Sequence, residues 1–333
     1  MILKDIVIKQ TTDLKKKLNK KDSPIAIQLP EGLKPFGKDI LKILKDFDPV
    51  LFIDPCYGAC DIKDDLAKQL KFKTLIHFGH YPIKKKFSVK SIFVPIDYYL
   101  EKEDIDFIVK KILEISKTNN YKKVTILTTI QYLKNLEPIR KELIKNKLTV
   151  TECRKTERVE KGMILGCDCS TVTDKEAPIF FIGDGVFHAN NIAYVFFEQK
   201  IYTISPLNRD YKEIAISLAF IKRRYGVVSR ALLQNSQNFA ILVSTKYGQN
   251  RLKLAKDIAK KLIKHGKSAE ILISDYIYES YFIGMGFDCY INTGCPRLTY
   301  DDYIRFDKPL LSPTEVDLLF DINKKLEIDQ IKQ

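Results

Sequence analysis

One pattern occurs three times in this chain of 333 residues and constrains its fold more than any other feature. Each copy has a short apolar strand, a loop, an amphipathic helix and a second apolar strand. The first strands of the three copies are PIAIQLP (24–30), KVTILTT (123–129) and NFAILVST (238–245). Strands that are apolar throughout are typical of parallel sheets covered by helices on both faces. The sequence therefore predicts an α/β fold of three similar small domains with mainly parallel sheets.

The spacing of the repeats sets the expected domain organisation. The period is too long for a solenoid, whose units are 20–50 residues, and fits three small domains around a common centre better. We predict domain boundaries near residues 117 and 232. The three domains are then 1–117, 118–232 and 233–333.

Each domain places one cysteine in a loop that contains glycine. The loops are YGACD, ILGCDCS and INTGCPR, and the cysteines are Cys60, Cys167 and Cys295. Ligands of open α/β sheets bind beyond the carboxyl ends of the strands, so three equivalent loops can converge on one point. Structural zinc takes four ligands, usually as CxxC pairs, and the sequence has no CxxC. Three thiolates suit a 4Fe–4S cluster with one iron left open for a substrate, so we predict these residues as metal ligands.

The other four of the seven cysteines receive different predictions. Cys153 closes an apolar strand and Cys289 lies within FDCYI, which favours the core for both. Cys169 is an alternative to Cys167, which we favour because a glycine directly precedes it. Cys56 has no counterpart in the other repeats and is predicted not to be a ligand. Their scattered placement and odd number argue against a disulfide framework.

The charge of the chain suggests no nucleic-acid site. The formal net charge is +14, but only 10 of the 56 basic residues are arginine, and the lysines are spread along the chain. Nucleic-acid readers depend on clustered basic residues, with arginine prominent among them. We therefore predict a solvated lysine-rich surface and no direct nucleic-acid partner. Because we see neither a secretion signal nor a run of about 18 apolar residues, we expect a cytoplasmic protein without a membrane partner.

Five motifs together resemble one family, the archaeal diphthamide-synthesis enzymes known as 2-(3-amino-3-carboxypropyl)histidine synthases. The motifs are QLPEGL (28–33), DPCYGACD (54–61), LGC (165–167), GDGVFH (183–188) and NTGCPRLTYDD (292–302). They span nearly the whole chain in the order of the family. The usual radical enzymes carry CxxxCxxC, and Lys63 stands here where the third cysteine of that motif would fall.

The resemblance implies a noncanonical radical use of S-adenosylmethionine. It implies that Cys60, Cys167 and Cys295 hold one 4Fe–4S cluster per chain, which passes one electron to the sulfonium. The bond to the methionine γ-carbon breaks, and the 3-amino-3-carboxypropyl group is transferred to the imidazole C2 of a histidine in translation elongation factor 2. This is the first step of diphthamide biosynthesis, and the archaeal enzyme is a homodimer. The sequence contains no second cysteine set, so an external electron donor is expected.

Residues around the cysteines have two readings each. Arg297 could pair bidentately with the methionine carboxylate or form a salt bridge between domains. His188 could bind substrate or a buried carbonyl. A short loop after an apolar strand consists of Gly183, Asp184 and Gly185. This loop could approach the substrate closely or form a plain turn.

Four further polar residues near the motifs carry simpler predictions. We expect His77 and His80 to pack between domains. Asp301 and Asp302 could bind the methionine ammonium, but a helix cap explains them more simply.

Two other functions stay open from the sequence. Quinolinate synthase and the reductive dehydratase of isoprenoid synthesis also resemble three-domain proteins with three-cysteine clusters, in which the open iron acts as a Lewis acid. Motif order disfavours them. The second alternative is a basic RNA-binding protein with structural cysteines, for which arginine clusters with interleaved aromatics would be expected.

Overall fold

The computed structural model describes residues 3–83, 86–214 and 218–331. These residues form three separate sheets with helices packed against them. Each sheet belongs to one stretch of chain. We call residues 3–94 the first unit, 102–214 the second unit and 218–331 the third unit. The α/β fold of three similar units with mainly parallel sheets is confirmed.

The first unit has four parallel strands in the order β2-β1-β3-β4. The strands are β1 (Ile25–Gln28), β2 (Pro49–Phe52), β3 (Thr74–Phe78) and β4 (Lys90–Val94). The helices are α1 (Leu3–Lys15), α2 (Gly37–Ile43) and α3 (Asp64–Gln69).

The second unit repeats this order as β6-β5-β7-β8 and adds an antiparallel edge strand, β9. Its strands are β5 (Lys123–Thr128), β6 (Thr149–Val150), β7 (Ile179–Ile182), β8 (Ile201–Ser205) and β9 (Asp210–Ile214). Its helices are α4 (Lys102–Thr118), α5 (Leu136–Lys145) and α6 (Phe187–Val195). The second strand of the repeat is shorter than LTVTEC suggested, because only two of its residues pair with β5.

The third unit has the same order once more, β11-β10-β12-β13. Its strands are β10 (Asn238–Ser244), β11 (Ser268–Ser274), β12 (Cys289–Asn292) and β13 (Leu310–Leu311). Its helices are α7 (Leu218–Leu233), α8 (Leu252–Lys264) and α9 (Pro296–Asp301). In α8 the buried residues Ala255, Ile258 and Leu262 recur at helical spacing and form the face that covers the sheet.

A helix precedes the first strand of every unit and packs into the core of that unit. Helix α4 contributes Ile108 and Ile112 to the second core, and α7 contributes Val228 and Ala231 to the third. This packing favours unit limits just before these helices, whereas the boundaries near 117 and 232 remain predictions. Among the described helices, none is both long and apolar enough to cross a membrane.

Candidate metal centre and substrate cavity

A cavity of about 620 Å³ lies where the three units meet. Its walls come from loops at the carboxyl ends of strands in all three sheets, which is where open α/β sheets bind their ligands. The cavity is lined by one cysteine of each unit, namely Cys60, Cys167 and Cys295. The fold thus brings together three thiols that are more than 100 residues apart in the sequence.

The loop of Cys60 is folded around the buried carboxylate of Asp61. Oδ2 of Asp61 accepts backbone hydrogen bonds from Tyr57 (2.7 Å) and Gly58 (3.1 Å). Its Oδ1 lies 2.6 Å from Nζ of Lys246 in the third unit. The ion pair joins the first unit to the third directly beside the cysteine.

The loop of Cys167 is a tight turn whose glycine is needed for close packing. The backbone N–H of Leu165 donates to the carbonyl of Asp168 over 2.9 Å. A Cβ on Gly166 would lie only 2.4 Å from a ring carbon of Phe187, so a side chain at this position would clash.

Cys295 directly precedes α9, and Pro296 occupies the first helical position. The fully buried Asn292 at the end of β12 supports the loop from inside. Its Nδ2 donates to the carbonyl of Cys295 (2.8 Å), and its Oδ1 accepts from the N–H of Gly294 (2.9 Å).

Two of the three cysteine sulfurs accept a hydrogen bond from a side chain that the sequence analysis did not single out. Nε2 of Gln249 lies 3.1 Å from Sγ of Cys60. Nη2 of Arg158 lies 3.6 Å from Sγ of Cys167, and Nε of Arg158 lies 3.3 Å from the buried carboxylate of Asp168. Neither donor belongs to a recognisable motif. No sequence signal marks Gln249, and the only signal for Arg158 is an arginine in the polar stretch ERVEKG.

Burial dominates the protonation of these thiols. It raises the pKa of Cys60 well above its usual range, with Asp61 acting in the same direction. Burial also raises the pKa of Cys167 to about 12 against the opposing charge of Arg158, and raises the pKa of Cys295. Thiolates are the metal-binding form, so metal binding at this site must displace protons.

The remaining cysteines lie outside the walls of the cavity as far as the structure describes them. Cys289 is fully buried in the core of the third unit, and Cys153 packs against a core of the second. Cys169 is buried, and its sulfur accepts a hydrogen bond from Nδ2 of Asn191 (3.1 Å). Of the two neighbouring cysteines, Cys167 faces the cavity.

Arg297 lines the cavity with part of its hydrogen-bonding capacity unused. Its Nη2 pairs with Asp301 one turn further along α9 (2.6 Å), and its guanidinium carbon lies 4.3 Å from the ring centroid of Phe187. Among the described residues, nothing accepts a hydrogen bond from its buried Nε and Nη1. Each of these two nitrogens can donate a single hydrogen bond to an anion, but they lie on different edges of the guanidinium and cannot bind one carboxylate together.

The loop after β7 divides into a part at the cavity and a part behind it. His188 lines the cavity, and burial lowers its pKa to about 4. Asp184 accepts hydrogen bonds from Tyr132 and from Ser205. The described residues that line the cavity do not include Gly183, Asp184 or Gly185. Direct substrate contact by these three residues remains a prediction.

Three residues that were assigned no chemistry from the sequence form a compact group beside the cavity. Atoms of Cys56, His77 and His80 that can bind a metal all lie within 4.8 Å of one another. Nε2 of His77 is 2.9 Å from Nδ1 of His80 and 3.9 Å from Sγ of Cys56. The signal that could have found the group is HFGH at the end of a strand, close to a CxxxC stretch.

Fold and site together define a class: α/β proteins of three similar units that present one thiol each to a shared open cavity. Comparison with known proteins identifies the family. Residues 29–331 match the family described as "Putative diphthamide synthesis protein". The chain belongs to this family of diphthamide synthesis proteins, as its motifs predicted.

Archaeal relatives cover nearly the whole chain. It is 32% identical over 310 residues to the 2-(3-amino-3-carboxypropyl)histidine synthase of Pyrococcus horikoshii, covering 92% of this chain and 88% of the relative. It is 31% identical over 331 residues to the synthase of Methanocaldococcus jannaschii, covering 95% and 90%.

Solved structures give the same result for the fold. Dph2 from Pyrococcus horikoshii superposes with a TM-score of 0.86 at 30% identity, covering 96% of this chain and 93% of that one. The structure of that Dph2 with a 4Fe-4S cluster superposes with a TM-score of 0.84 at 31% identity, covering 99% and 94%.

Proposed function

We propose that this protein transfers the 3-amino-3-carboxypropyl group of S-adenosylmethionine to the imidazole C2 of a histidine in translation elongation factor 2. The observation that carries the proposal is the cavity, which is lined by one thiol of each unit and by Arg297, whose Nε and Nη1 have no partner among the described residues. Membership of the diphthamide synthesis family supports it and favours it over a Lewis-acid enzyme or an RNA-binding protein.

Three residues would hold the cofactor, a 4Fe–4S cluster. Cys60, Cys167 and Cys295 fit it by their chemistry, because three thiols around an open cavity leave one iron without a protein ligand. When bound, the cluster supplies one electron to the sulfonium, which breaks the bond to the methionine γ-carbon. Relatives with the same fold include a Dph2 structure that contains such a cluster.

The chain itself would bind and orient the co-substrate. Arg297 would donate a hydrogen bond from Nη1 to the methionine carboxylate, while Asp301 holds its Nη2. His188 would offer a neutral ring to the substrate. Gly183, Asp184 and Gly185 would shape the loop before His188, and their direct contact with the substrate stays a prediction.

The partners of the reaction follow from this chemistry. Tyr57 and Phe187 line the cavity and are 72% and 49% exposed, which suits a rim that receives a histidine on the surface of another protein. We further propose a homodimer, an external electron donor and a cytoplasmic location, where the elongation factor works.

Two assays test the proposal. Anaerobically reconstituted protein, reduced with dithionite and given S-adenosylmethionine, should release methylthioadenosine. Release of 5′-deoxyadenosine, or no cleavage by iron-loaded protein, would contradict the mechanism.

Iron and sulfide analysis tests the ligands. Cys60→Ala, Cys167→Ala and Cys295→Ala should each lose the intact cluster. Cys56→Ala and Cys153→Ala are the matched controls and should keep it. Full iron content in any of the first three would remove that residue from the ligand set.

A further inference from the structure

A row of hydrogen-bonded side chains runs from the first sheet to the cavity. His77 on β3 is fully buried, and its Nδ1 lies 3.1 Å from Oε1 of Gln28 on β1. Its Nε2 lies 2.9 Å from Nδ1 of His80. His80 lines the cavity, so the row ends where the substrate would bind.

The contacts of Gln28 determine where the protons of this row lie. Its Nε2 donates to the carbonyl of Asp61 (2.6 Å), and its Oε1 accepts from the N–H of Lys63 (3.3 Å). Since Oε1 can only accept, Nδ1 of His77 must carry a proton. The neutral ring of His77 then accepts at Nε2, and His80 must donate from Nδ1. This leaves Nε2 of His80 unprotonated and able to take up a proton.

The surroundings of His80 favour it over His188, the other histidine at the cavity. Burial lowers the pKa of both rings to about 4. The nearby charge of Arg297 lowers the pKa of His188 further, whereas Asp61 and a backbone hydrogen bond with Tyr57 act upward on the pKa of His80. The charge of Asp61 therefore favours a proton on His80, whereas the charge of Arg297 opposes one on His188.

We propose that His80, oriented by His77 and Gln28, accepts the proton that the target imidazole loses from C2. The proposal rests on the proposed function. In the net transfer, the bond from sulfur to the γ-carbon breaks and a bond from the γ-carbon to imidazole C2 forms. Methylthioadenosine leaves as a neutral thioether, and the C2 hydrogen leaves as a proton once the adduct radical has given back the one electron that the sulfonium received. No net oxidation occurs, so one proton acceptor completes the balance.

His80 does not need to be a strong base to accept the C2 proton. The proton leaves as the ring regains its aromatic character, so a neutral imidazole in a buried site can receive it and later pass it to solvent. His77 does not reach the cavity and acts as a positioning residue, because it fixes the tautomer of His80.

Geometry separates this proposal from a metal site at the same group. Two histidine nitrogens bound to one tetrahedral zinc lie about 3.3 Å apart, given metal–nitrogen distances of 2.0–2.1 Å. The nitrogens of His77 and His80 are 2.9 Å apart, the distance of a hydrogen bond. The contact between them therefore favours the relay.

The main test is His80→Asn, because the asparagine amide can still donate to His77 while the second ring nitrogen is lost. With reduced, iron-loaded enzyme and elongation factor 2, methylthioadenosine release should stay within about twofold of wild type. Histidine modification should fall by at least about 100-fold, the usual contribution of an acid–base group. Added imidazole should restore part of the histidine modification. Deuterium at C2 of the target histidine should slow the modification by the variant. His265→Asn, at the exposed end of α8, is the control and should behave as wild type.

Each other outcome overturns the proposal in a recognisable way. Unchanged modification by His80→Asn, or equal loss of methylthioadenosine and modified histidine, would rule His80 out as the acceptor. If wild-type enzyme released no methylthioadenosine, the proposed function itself would fail.

A second measurement needs no activity. Long-range nitrogen–proton NMR of iron-free protein should show protons on Nδ1 of both His77 and His80. A proton on Nε2 of His80, or zinc bound in stoichiometric amount and lost in Cys56→Ala, would contradict the relay.

Discussion

Nε2 of Gln249 donates a hydrogen bond to Sγ of Cys60 over 3.1 Å, which joins the third unit to the first at the cavity. The two residues are 189 positions apart in the chain. A hydrogen bond to a ligand sulfur stabilises the reduced, more negative form of an iron–sulfur cluster. If the cluster binds as proposed, the fold therefore adjusts its potential through a contact between units.

Replacing Gln249 by leucine should make the cluster harder to reduce. One lost hydrogen bond of about 1 kcal/mol corresponds to roughly 40 mV for a one-electron couple, and the midpoint potential should become more negative by about that amount. A redox titration followed by electron paramagnetic resonance measures the shift. Gln234→Leu, at an exposed position, should leave the potential unchanged. A shift to more positive potential would mean that Gln249 does not donate to the ligand.

Arg158 should affect both potential and stability, because it is buried between Cys167 and Asp168. Arg158→Met leaves the carboxylate of Asp168 buried without its cation, which should cost about 3–5 kcal/mol of unfolding free energy. The loss of a positive charge near the sulfur should also make the potential more negative. Urea unfolding and a redox titration measure the two effects.

The double variant Arg158→Met with Asp168→Asn separates the effect on stability from the effect on the cluster potential. It should recover much of the lost stability, since no uncompensated charge remains, but it should not recover the potential. Recovery of both would show that the potential follows the integrity of the loop and not the contact with sulfur.

The sequence was sufficient to predict those parts of the fold and the site that leave a local pattern of residues. Apolar runs predicted the first strand of each unit, and the matching loop cysteines predicted which thiols line the cavity. Gln249 escaped because its partner lies in another unit, and Arg158 because its partners lie further along the same irregular connection between β6 and β7. A hydrogen bond to sulfur leaves no periodic pattern. The polar strand β9 escaped for a related reason: among the described strands it pairs only with β8, and most of its residues are exposed.

Acid should destabilise the iron-free protein because two cavity histidines are buried in the neutral form. The pKa of His80 and of His188 is about 4 in the folded protein, against 6.5 for a free histidine. The unfolded chain then binds more protons between pH 6.5 and 4, so stability falls as pH falls through this window. Each histidine should cost about 2 kcal/mol at pH 5 relative to pH 7.

Urea unfolding at the two pH values measures this dependence. His80→Asn should reduce the difference by about 2 kcal/mol, while the exposed variant His265→Asn should keep the wild-type difference. An unchanged difference in His80→Asn would indicate that folding does not lower the pKa of His80.

The segment 329–331 connects the loops of two proposed ligands. Arg251 donates to both carboxylate oxygens of Asp329 (2.8 and 2.6 Å) and to the carbonyls of Thr293 and Gly294, just before Cys295. The backbone N–H of Ile331 donates to the carbonyl of Cys167 (3.0 Å). The segment therefore holds the loops of the second and third units in place from outside the cavity.

Ending the chain at Ile328 should weaken cofactor binding without touching a ligand. The loss of the buried Ile331 side chain and of these hydrogen bonds should lower the unfolding free energy by at least about 3 kcal/mol. Because two ligand loops lose their support, iron and sulfide content after anaerobic reconstitution should fall well below one cluster per chain. Lys325→Ala removes an exposed ion pair with Glu198 and a contact with the ring of Phe197, and should keep full occupancy. If the shortened chain held a full cluster with an unchanged potential, the segment would have no part in supporting the metal centre.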